Sequence, residues 1–216
     1  MFGIISGLAS LAVSVVSKAV SVVGSAIKSV ATTLIEMGVE KLRLVADVIE
    51  AVGRLLGVIK SEDNIDDIGD RAMRSDKKPE DFDSHIEYVD YLKENIQPND
   101  LSTLSPAERL ARKAVGASIL SKAIEEKTSL EIPLEFWKLS TEKGLTPTEV
   151  FEFVNNFKKL GISPNEFVKF LKQELKEQDE EKVENALIKA YKELEPEADE
   201  YDIEKKVINL PYKKEQ

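Results

Sequence analysis

The fold is decided by residues 6–36, which read SGLASLAVSVVSKAVSVVGSAIKSVATTLIE. Polar or charged side chains recur there and in the following residues as a narrow stripe between apolar ones, at Ser6, Ser10, Ser14, Ser17, Ser21, Ser25, Lys28, Thr32, Glu36, Glu40, Arg43, Asp47, Glu50 and Arg54. The stripe makes 13 steps across 48 residues, or 3.69 residues per step, which is close to an eleven-residue repeat of three helical turns. This spacing predicts an amphipathic, hendecad-like helix, or two or three collinear helices, from about Phe2 to Ile59.

The apolar character of residues 1–60 raises the question of what covers them. A straight helix of this length would run roughly 87 Å, whereas a compact domain of the remaining 156 residues would have a diameter on the order of 40 Å. The rest of the chain can therefore cover the segment only if it folds back as a helical hairpin at Gly24, Gly38 or Gly53. The other possibilities are contact with identical copies and contact with a bilayer.

The composition excludes several classes of chemistry. The chain contains no Cys and a single His, so it can form no disulfide, thiolate metal site, Cys nucleophile or site with two imidazoles. His85 is flanked by Asp81, Asp83 and Glu87 but has no accompanying nucleophile motif or phosphate-binding glycine loop, and we interpret it as a surface helix residue. We therefore expect no enzymatic activity, no cofactor and no bound metal.

The charge is unevenly distributed along the chain. The formal net charge is −10, and the sequence shows no local cluster of basic residues, so we expect no direct sequence-specific binding of nucleic acid. Before Glu36 the only charged side chains are Lys18 and Lys28, whereas the rest of the chain is highly charged. The first 35 residues thus have a different character from the remainder.

The sequence after the apolar segment predicts three further regions. Residues 61–78 are polar and acidic and are expected to form a linker or a loose helix, without the ligand spacing of a calcium loop. Residues 79–195 carry repeated helix-start signals and are expected to form a small helical bundle. Among these signals is a capping box that begins at Ser105 and opens a helix to about Lys127. Residues 196–216 are expected to form a charged tail.

Part of this bundle region is an internal duplication. The segment LTPTEVFEFV at 145–154 aligns with ISPNEFVKFL at 162–171, and each copy opens with a Thr or Ser cap, a Pro and a Glu at the third helical position. We expect an antiparallel helical hairpin. Its aromatic core is predicted to contain Phe151, Phe153, Phe157, Phe167 and Phe170.

These features favour a membrane-active, self-associating helical protein that forms a pore or conduit. Identical copies turned stripe-inward would line a polar path with Ser6 to Thr32, while the aliphatic faces would contact membrane lipid. In general character, the long Ser-striped helix followed by a small acidic domain resembles exported bacterial pore-forming effectors and virion proteins ejected with a phage genome. That resemblance covers the amino-terminal third and includes no specific motif.

Two other functions fit the same pattern. The chain is also typical of a structural subunit of a virion, tail or secretion apparatus that packs through its N-terminal helix, or of an adaptor or immunity-like module whose helix folds back. A protein carrier or assembly partner fits each of these. We expect a protein that is soluble when made and later joins a membrane or a virion or secreted assembly. No basic residue precedes the apolar run, which argues against a cleavable signal peptide.

Overall fold

The computed structural model describes residues 2–212, with side chains from residue 7 onward. Within that range the chain is all-helical and contains no strand, as the sequence predicts. The α-helices in chain order are α1 (Phe2–Lys18), α2 (Val20–Val23), α3 (Ser25–Glu36), α4 (Val39–Leu55), α5 (Ile65–Arg74), α6 (His85–Asn95), α7 (Pro106–Thr128), α8 (Leu134–Glu142), α9 (Pro147–Leu160), α10 (Pro164–Leu171), α11 (Glu177–Leu194) and α12 (Glu200–Asn209). Short 3₁₀ turns form at Pro79–Asp81, Leu101–Thr103 and Leu210–Tyr212.

The chain divides into two compact units, Met1–Lys127 and Thr128–Gln216. The first unit joins the apolar N-terminal segment to α5, α6 and α7. The second unit contains the duplicated helix-start motif and the helices that follow it.

Residues 2–55 form four helices, α1 to α4, where the sequence predicts one helix or two or three collinear helices. Ala19 separates α1 from α2, and two glycines with positive φ, Gly24 (79°) and Gly38 (95°), precede α3 and α4. Residues with a Cβ rarely adopt such φ values, so glycine at these positions allows the backbone to end one helix and turn into the next. Gly53, the third possible fold-back point, lies inside α4. As a result α1 packs against α3 instead of extending it.

The acidic segment, expected to be a linker or a loose helix, contains a well-capped helix, α5. The Asn64 side chain accepts a hydrogen bond from the backbone N–H of Asp66 at 2.7 Å, which caps the first turn. Buried aliphatic side chains recur at helical spacing among the acidic ones, at Ile65, Ile68 and Ala72. Burial of this apolar edge explains why the segment is ordered although its composition is polar.

Asp70 of α5 is a buried carboxylate that ties the helix to α7. Its side chain is 1% exposed. Arg112 Nε donates to one carboxylate oxygen at 2.7 Å, and Arg74 Nε donates to the other at 2.8 Å. Charged hydrogen bonds to both oxygens compensate for the removal of this group from water.

The second unit contains the predicted capping boxes. Thr146 and Glu149 cap α9 reciprocally, Ser163 and Glu166 cap α10 in the same way, and Gly161 follows the last residue of α9. Helix α9 packs against α11, and α10 packs against α8 and α11. The core is aromatic as expected, with fully buried Trp137, Tyr191, Phe136, Phe153, Phe157, Phe167 and Phe170.

Three local expectations for residues 79–216 differ from the structure. Phe151 is only partly buried, so it lies at the margin of the aromatic core. The first of the helix-start signals expected in residues 79–195, at Pro79, opens only a 3₁₀ turn, and α6 begins at His85. The expected charged tail contains α12, which is ordered because Ile203 and Val207 are buried one helical turn apart.

Candidate functional site

The polar stripe of the N-terminal segment lies mainly on the outside of the first unit. Ser10, Ser14, Ser21 and Ser25 are exposed. The stripe residues Ser17, Lys28 and Thr32 are partly exposed, and the side chain of Ser6 lies outside the described residues. The serine stripe therefore faces outward in a single chain.

The opposite face of the same segment contributes to the core of the first unit. Its fully or almost fully buried side chains are Ala12, Val16, Val23, Ile27, Ala31, Leu34 and Ile35. Within α1 and α3 these side chains recur at three- or four-residue steps, and Leu34 and Ile35 are adjacent, which is the pattern of one helical face. The chain thus covers one side of the segment by folding it back.

Apolar side chains also remain on the outer surface. Leu11 of α1 is 61% exposed, between exposed Ser10 and Ser14. On α4, Leu44 and Leu55 are 55% and 48% exposed and lie eleven residues apart on one face. Isolated exposed leucines are common, but these occur on helices that the sequence marks as candidates for self-association.

Gly24 is held by a carboxylate from a neighbouring loop. A Cβ at this position would lie 2.4 Å from Oε1 of Glu80. Gly24 is the N-cap of α3 and provides no side-chain acceptor, so the Glu80 carboxylate lies where the positive end of the helix dipole favours negative charge. The Glu80 carboxylate therefore lies beside the turn between α2 and α3.

His85, the only histidine, forms a structural contact between α6 and α7. Its Nδ1 lies 2.6 Å from Glu126 Oε1, and its backbone N–H donates to Glu126 Oε2 at 2.7 Å. The Ser84 hydroxyl accepts from the Glu87 backbone N–H and caps the same helix. His85 is the first residue of α6, and these contacts hold it against α7. The sequence predicts a surface helix residue at this position.

A cationic cavity in the first unit has no counterpart in the sequence pattern. It has a volume of about 400 Å³ and combines three basic side chains, one carboxylate and an apolar wall. The lining residues are Leu8, Val39, Arg43, Asp66, Pro106, Arg109, Leu110 and Lys113. The sequence shows no basic cluster because Arg43 and Arg109 are 66 residues apart, and only the packing of α4 near α7 brings them to one site.

Asp66 and Lys113 form an ion pair at this cavity. Lys113 Nζ lies 3.2 Å from Asp66 Oδ2, while Asp66 Oδ1 is buried without a hydrogen-bond partner. Burial raises the pKa of Asp66, an effect that the attraction of Lys113 opposes and the nearby Glu50 and Asp67 reinforce. The cavity therefore keeps a positive balance, since one carboxylate faces three basic groups.

The described residues contain neither a membrane-spanning helix nor a cluster of metal ligands. No helix there is both long enough and apolar enough to cross a membrane. In the same part of the chain, no group of three or more His, Asp or Glu side chains could hold a metal ion.

Comparison with known proteins identifies no relative. No protein-family model, curated protein or solved structure matches this chain. Its function has to be inferred from its own residues.

Proposed function

We propose that this is a membrane-active, self-associating helical protein whose N-terminal segment forms a pore or conduit. One observation carries the proposal. The outer surface of α1, α2 and α3 consists mainly of hydroxyl and aliphatic groups, and its charged side chains are Lys18, Lys28 and Glu36, although it belongs to a highly charged protein. Such a surface can exchange water for lipid or for identical copies at little electrostatic cost.

The contrast with α4 supports this reading of the surface. Between Gly7 and Ile35 the exposed residues with polar side chains are hydroxyl residues, apart from Lys18. On α4 the exposed side chains are mostly charged, at Glu40, Lys41, Arg43, Asp47 and Arg54. Both groups lie in one compact unit, so the lack of charge is a property of one surface of that unit.

The break at Ala19 is slight. Ala19 has φ −88° and ψ 3°, so its ψ departs from the helical value, but its backbone N–H still donates to the carbonyl oxygens of Val15 and Val16. Joined through Ala19, residues 2–23 would form a helix of about 33 Å, whereas the hydrocarbon core of a bilayer is about 30 Å thick. We infer that α1 and α2 join on insertion and that Gly24 marks the end of the inserted helix.

The register of the stripe also favours a continuous form. Ser10, Ser21 and Thr32 are eleven residues apart, and this phase holds across the breaks at Ala19 and Gly24. Helices that only ever pack as separate short elements need no common phase. We therefore assign the part of the hendecad-like helix before Gly24 to the membrane-inserted state, and the folded-back arrangement to the state before insertion.

Dye release from lipid vesicles tests the proposal. Wild-type protein is expected to bind vesicles, to release dye and to form oligomers there. Ser14→Leu with Ser21→Leu is expected to abolish release and preserve binding, because both serines are exposed in the folded unit and would line the polar path. Ser61→Leu with Thr148→Leu, at exposed positions outside the segment, is the matched control. A wild-type protein that neither binds vesicles nor sediments above monomer mass would contradict the proposal.

A second candidate function is a structural subunit of a large assembly. It is favoured by the exposed apolar edge of α4, where Leu44 and Leu55 flank the nearly buried Val48 and partly buried Ala51. Such an edge suits packing against a second copy without lipid. Rings or filaments that form without detergent and leave vesicles intact would select this function over the first. Leu44→Glu would then abolish assembly.

A further inference from the structure

The six arginines of the chain divide into two groups. Arg54, Arg71, Arg74 and Arg112 each bond to a carboxylate or to backbone carbonyl groups within the first unit. Arg43 and Arg109 have no such side-chain partner among the described residues, and both line the cavity described above. Structural bonding accounts for the first four arginines and leaves these two unexplained.

The third basic group of the cavity is partly engaged. Lys113 is paired with Asp66, so the cavity presents the two guanidinium groups of Arg43 and Arg109 as its unpaired charges. Guanidinium groups bind phosphate oxygens through paired N–H donors and lose less hydration than ammonium groups do. The two unpaired guanidinium groups of the cavity are therefore suited to bind a phosphate.

The remaining wall of the cavity is apolar. It is formed by Leu8, Val39, Pro106 and Leu110, and its volume of about 400 Å³ falls in the range of about 300–1,000 Å³ common to ligand sites. Val39 and Pro106 are also the first residues of α4 and α7, whose amino ends add partial positive charge. A ligand that combines a phosphate with an aliphatic portion therefore fits both the basic and the apolar side of the cavity.

We propose that the cavity binds the phosphate headgroup of an anionic phospholipid. This inference rests on the proposed function, because Leu8 belongs to α1, the helix assigned to the membrane. Arg43 and Arg109 hold the phosphate, and Leu8 with Leu110 contacts the glycerol backbone and the first carbons of the acyl chains. The bound headgroup places α1 at the bilayer surface before the N-terminal segment inserts.

Arg43→Gln with Arg109→Gln tests the cavity. Both side chains are exposed and without protein partners, so the variant is expected to fold as the wild type does. Lys169→Gln with Lys189→Gln removes the same charge at exposed positions of the second unit and is the matched control. Binding is measured by co-sedimentation with vesicles of phosphatidylcholine alone and of phosphatidylcholine with phosphatidylglycerol.

The expected result is selective. The wild type and the lysine control should prefer the phosphatidylglycerol vesicles, and the arginine variant should bind them about 30-fold more weakly. Binding of the arginine variant at wild-type strength would overturn the inference and leave the proposed function intact. Failure of the wild type to bind either vesicle would contradict the proposed function itself.

A thermal-shift experiment distinguishes a lipid ligand from a small phosphorylated compound. Glycerol 3-phosphate alone is expected to shift the melting temperature of the wild type little, because it lacks the aliphatic portion that the apolar wall contacts. Strong stabilisation by glycerol 3-phosphate, lost in the arginine variant and without any vesicle preference, would assign the cavity to a small phosphorylated molecule and overturn the lipid proposal.

Discussion

Gly69 of α5 and Gly116 of α7 face each other where the two helices cross. A Cβ on Gly69 would lie 1.9 Å from the backbone oxygen of Arg112, and a Cβ on Gly116 would lie 2.0 Å from the backbone oxygen of Ile65. The helices are thus in backbone contact, which only residues without a side chain allow. This crossing brings Asp70 within hydrogen-bond distance of Arg112.

Replacing either crossing glycine should destabilise the first unit strongly. Gly116→Ala forces the two backbones apart, and we expect a loss of about 3 kcal/mol in the free energy of unfolding. Urea denaturation followed by circular dichroism measures the change. Gly7→Ala is the control, because a Cβ at Gly7 in α1 has no atom within 4 Å and should be neutral or slightly stabilising. Equal stability of the two variants would contradict the close crossing.

Alanine substitutions at Gly24 and Gly38 distinguish the cost of backbone strain from the cost of displacing the Glu80 carboxylate. Both have positive φ, so alanine at either position should cost about 1–3 kcal/mol. Gly24→Ala should cost about 0.5 kcal/mol more, because its Cβ must displace the flexible, exposed Glu80 carboxylate, whereas Gly38 has open space around it. Glu80→Ala combined with Gly24→Ala should remove that difference in urea denaturation. An unchanged difference would show that Glu80 is not responsible.

Thr32 combines a stripe position with a buried hydroxyl. Its Oγ1 is buried without a hydrogen-bond partner, so Thr32→Val should raise the free energy of unfolding by about 1 kcal/mol. The neighbouring Thr33 is exposed and its hydroxyl donates to the Ser29 carbonyl at 3.1 Å. Thr33→Val should therefore change stability by less than about 0.5 kcal/mol. A destabilised Thr32→Val variant would mean that the hydroxyl has a partner in solution.

Glu149 should make the second unit sensitive to acid. Burial alone would raise its pKa, but hydrogen bonds from Thr146 and Tyr191 and the charge of Lys206 lower the pKa below its ordinary value of 4.5. A lowered pKa contributes stability that is present above the unfolded-state pKa and is lost as the pH falls through the folded-state pKa. Wild type should thus lose more stability than Glu149→Gln between about pH 6 and about pH 3.

The second copy of the motif provides the control for this experiment. Glu166 accepts a hydrogen bond from the Ser163 backbone N–H at 2.7 Å, as Glu149 does from Thr146. Glu166→Gln removes the same charge from the same unit and corrects for the change in net charge. Denaturation of wild type and Glu149→Gln with parallel pH dependence would refute the assignment to Glu149.

Local signals in the sequence predicted much of the fold. The helix starts at Pro106, Pro147 and Pro164 follow from caps that act within one turn. Gly24 and Gly38 were identified as possible fold-back points because glycine tolerates positive φ. The sequence does not predict α12, and it leaves α5 open between a linker and a loose helix, because a few buried aliphatic positions stand among many charges. The burial of these positions depends on residues far along the chain.

The candidate sites were predicted unequally. The serine stripe is periodic and local, so its residues could be named before its orientation was known. Arg43 and Arg109 could not be paired from the sequence, because their proximity depends on where α4 and α7 pack. The signal that identifies them is the lack of a bonding partner, which is visible only when the other arginines have been placed.

Local interactions along the sequence establish the all-helical class, the capped helix starts at Pro106, Pro147 and Pro164, and the division of the N-terminal segment into polar and apolar faces. These properties follow from interactions between residues within about one or two turns. Tertiary structure alone decided that the serines face outward in a single chain, that Gly69 meets Gly116, and that two unpaired arginines share a cavity. Such relationships join residues tens of positions apart, and only the packing of whole helices sets the distances between them.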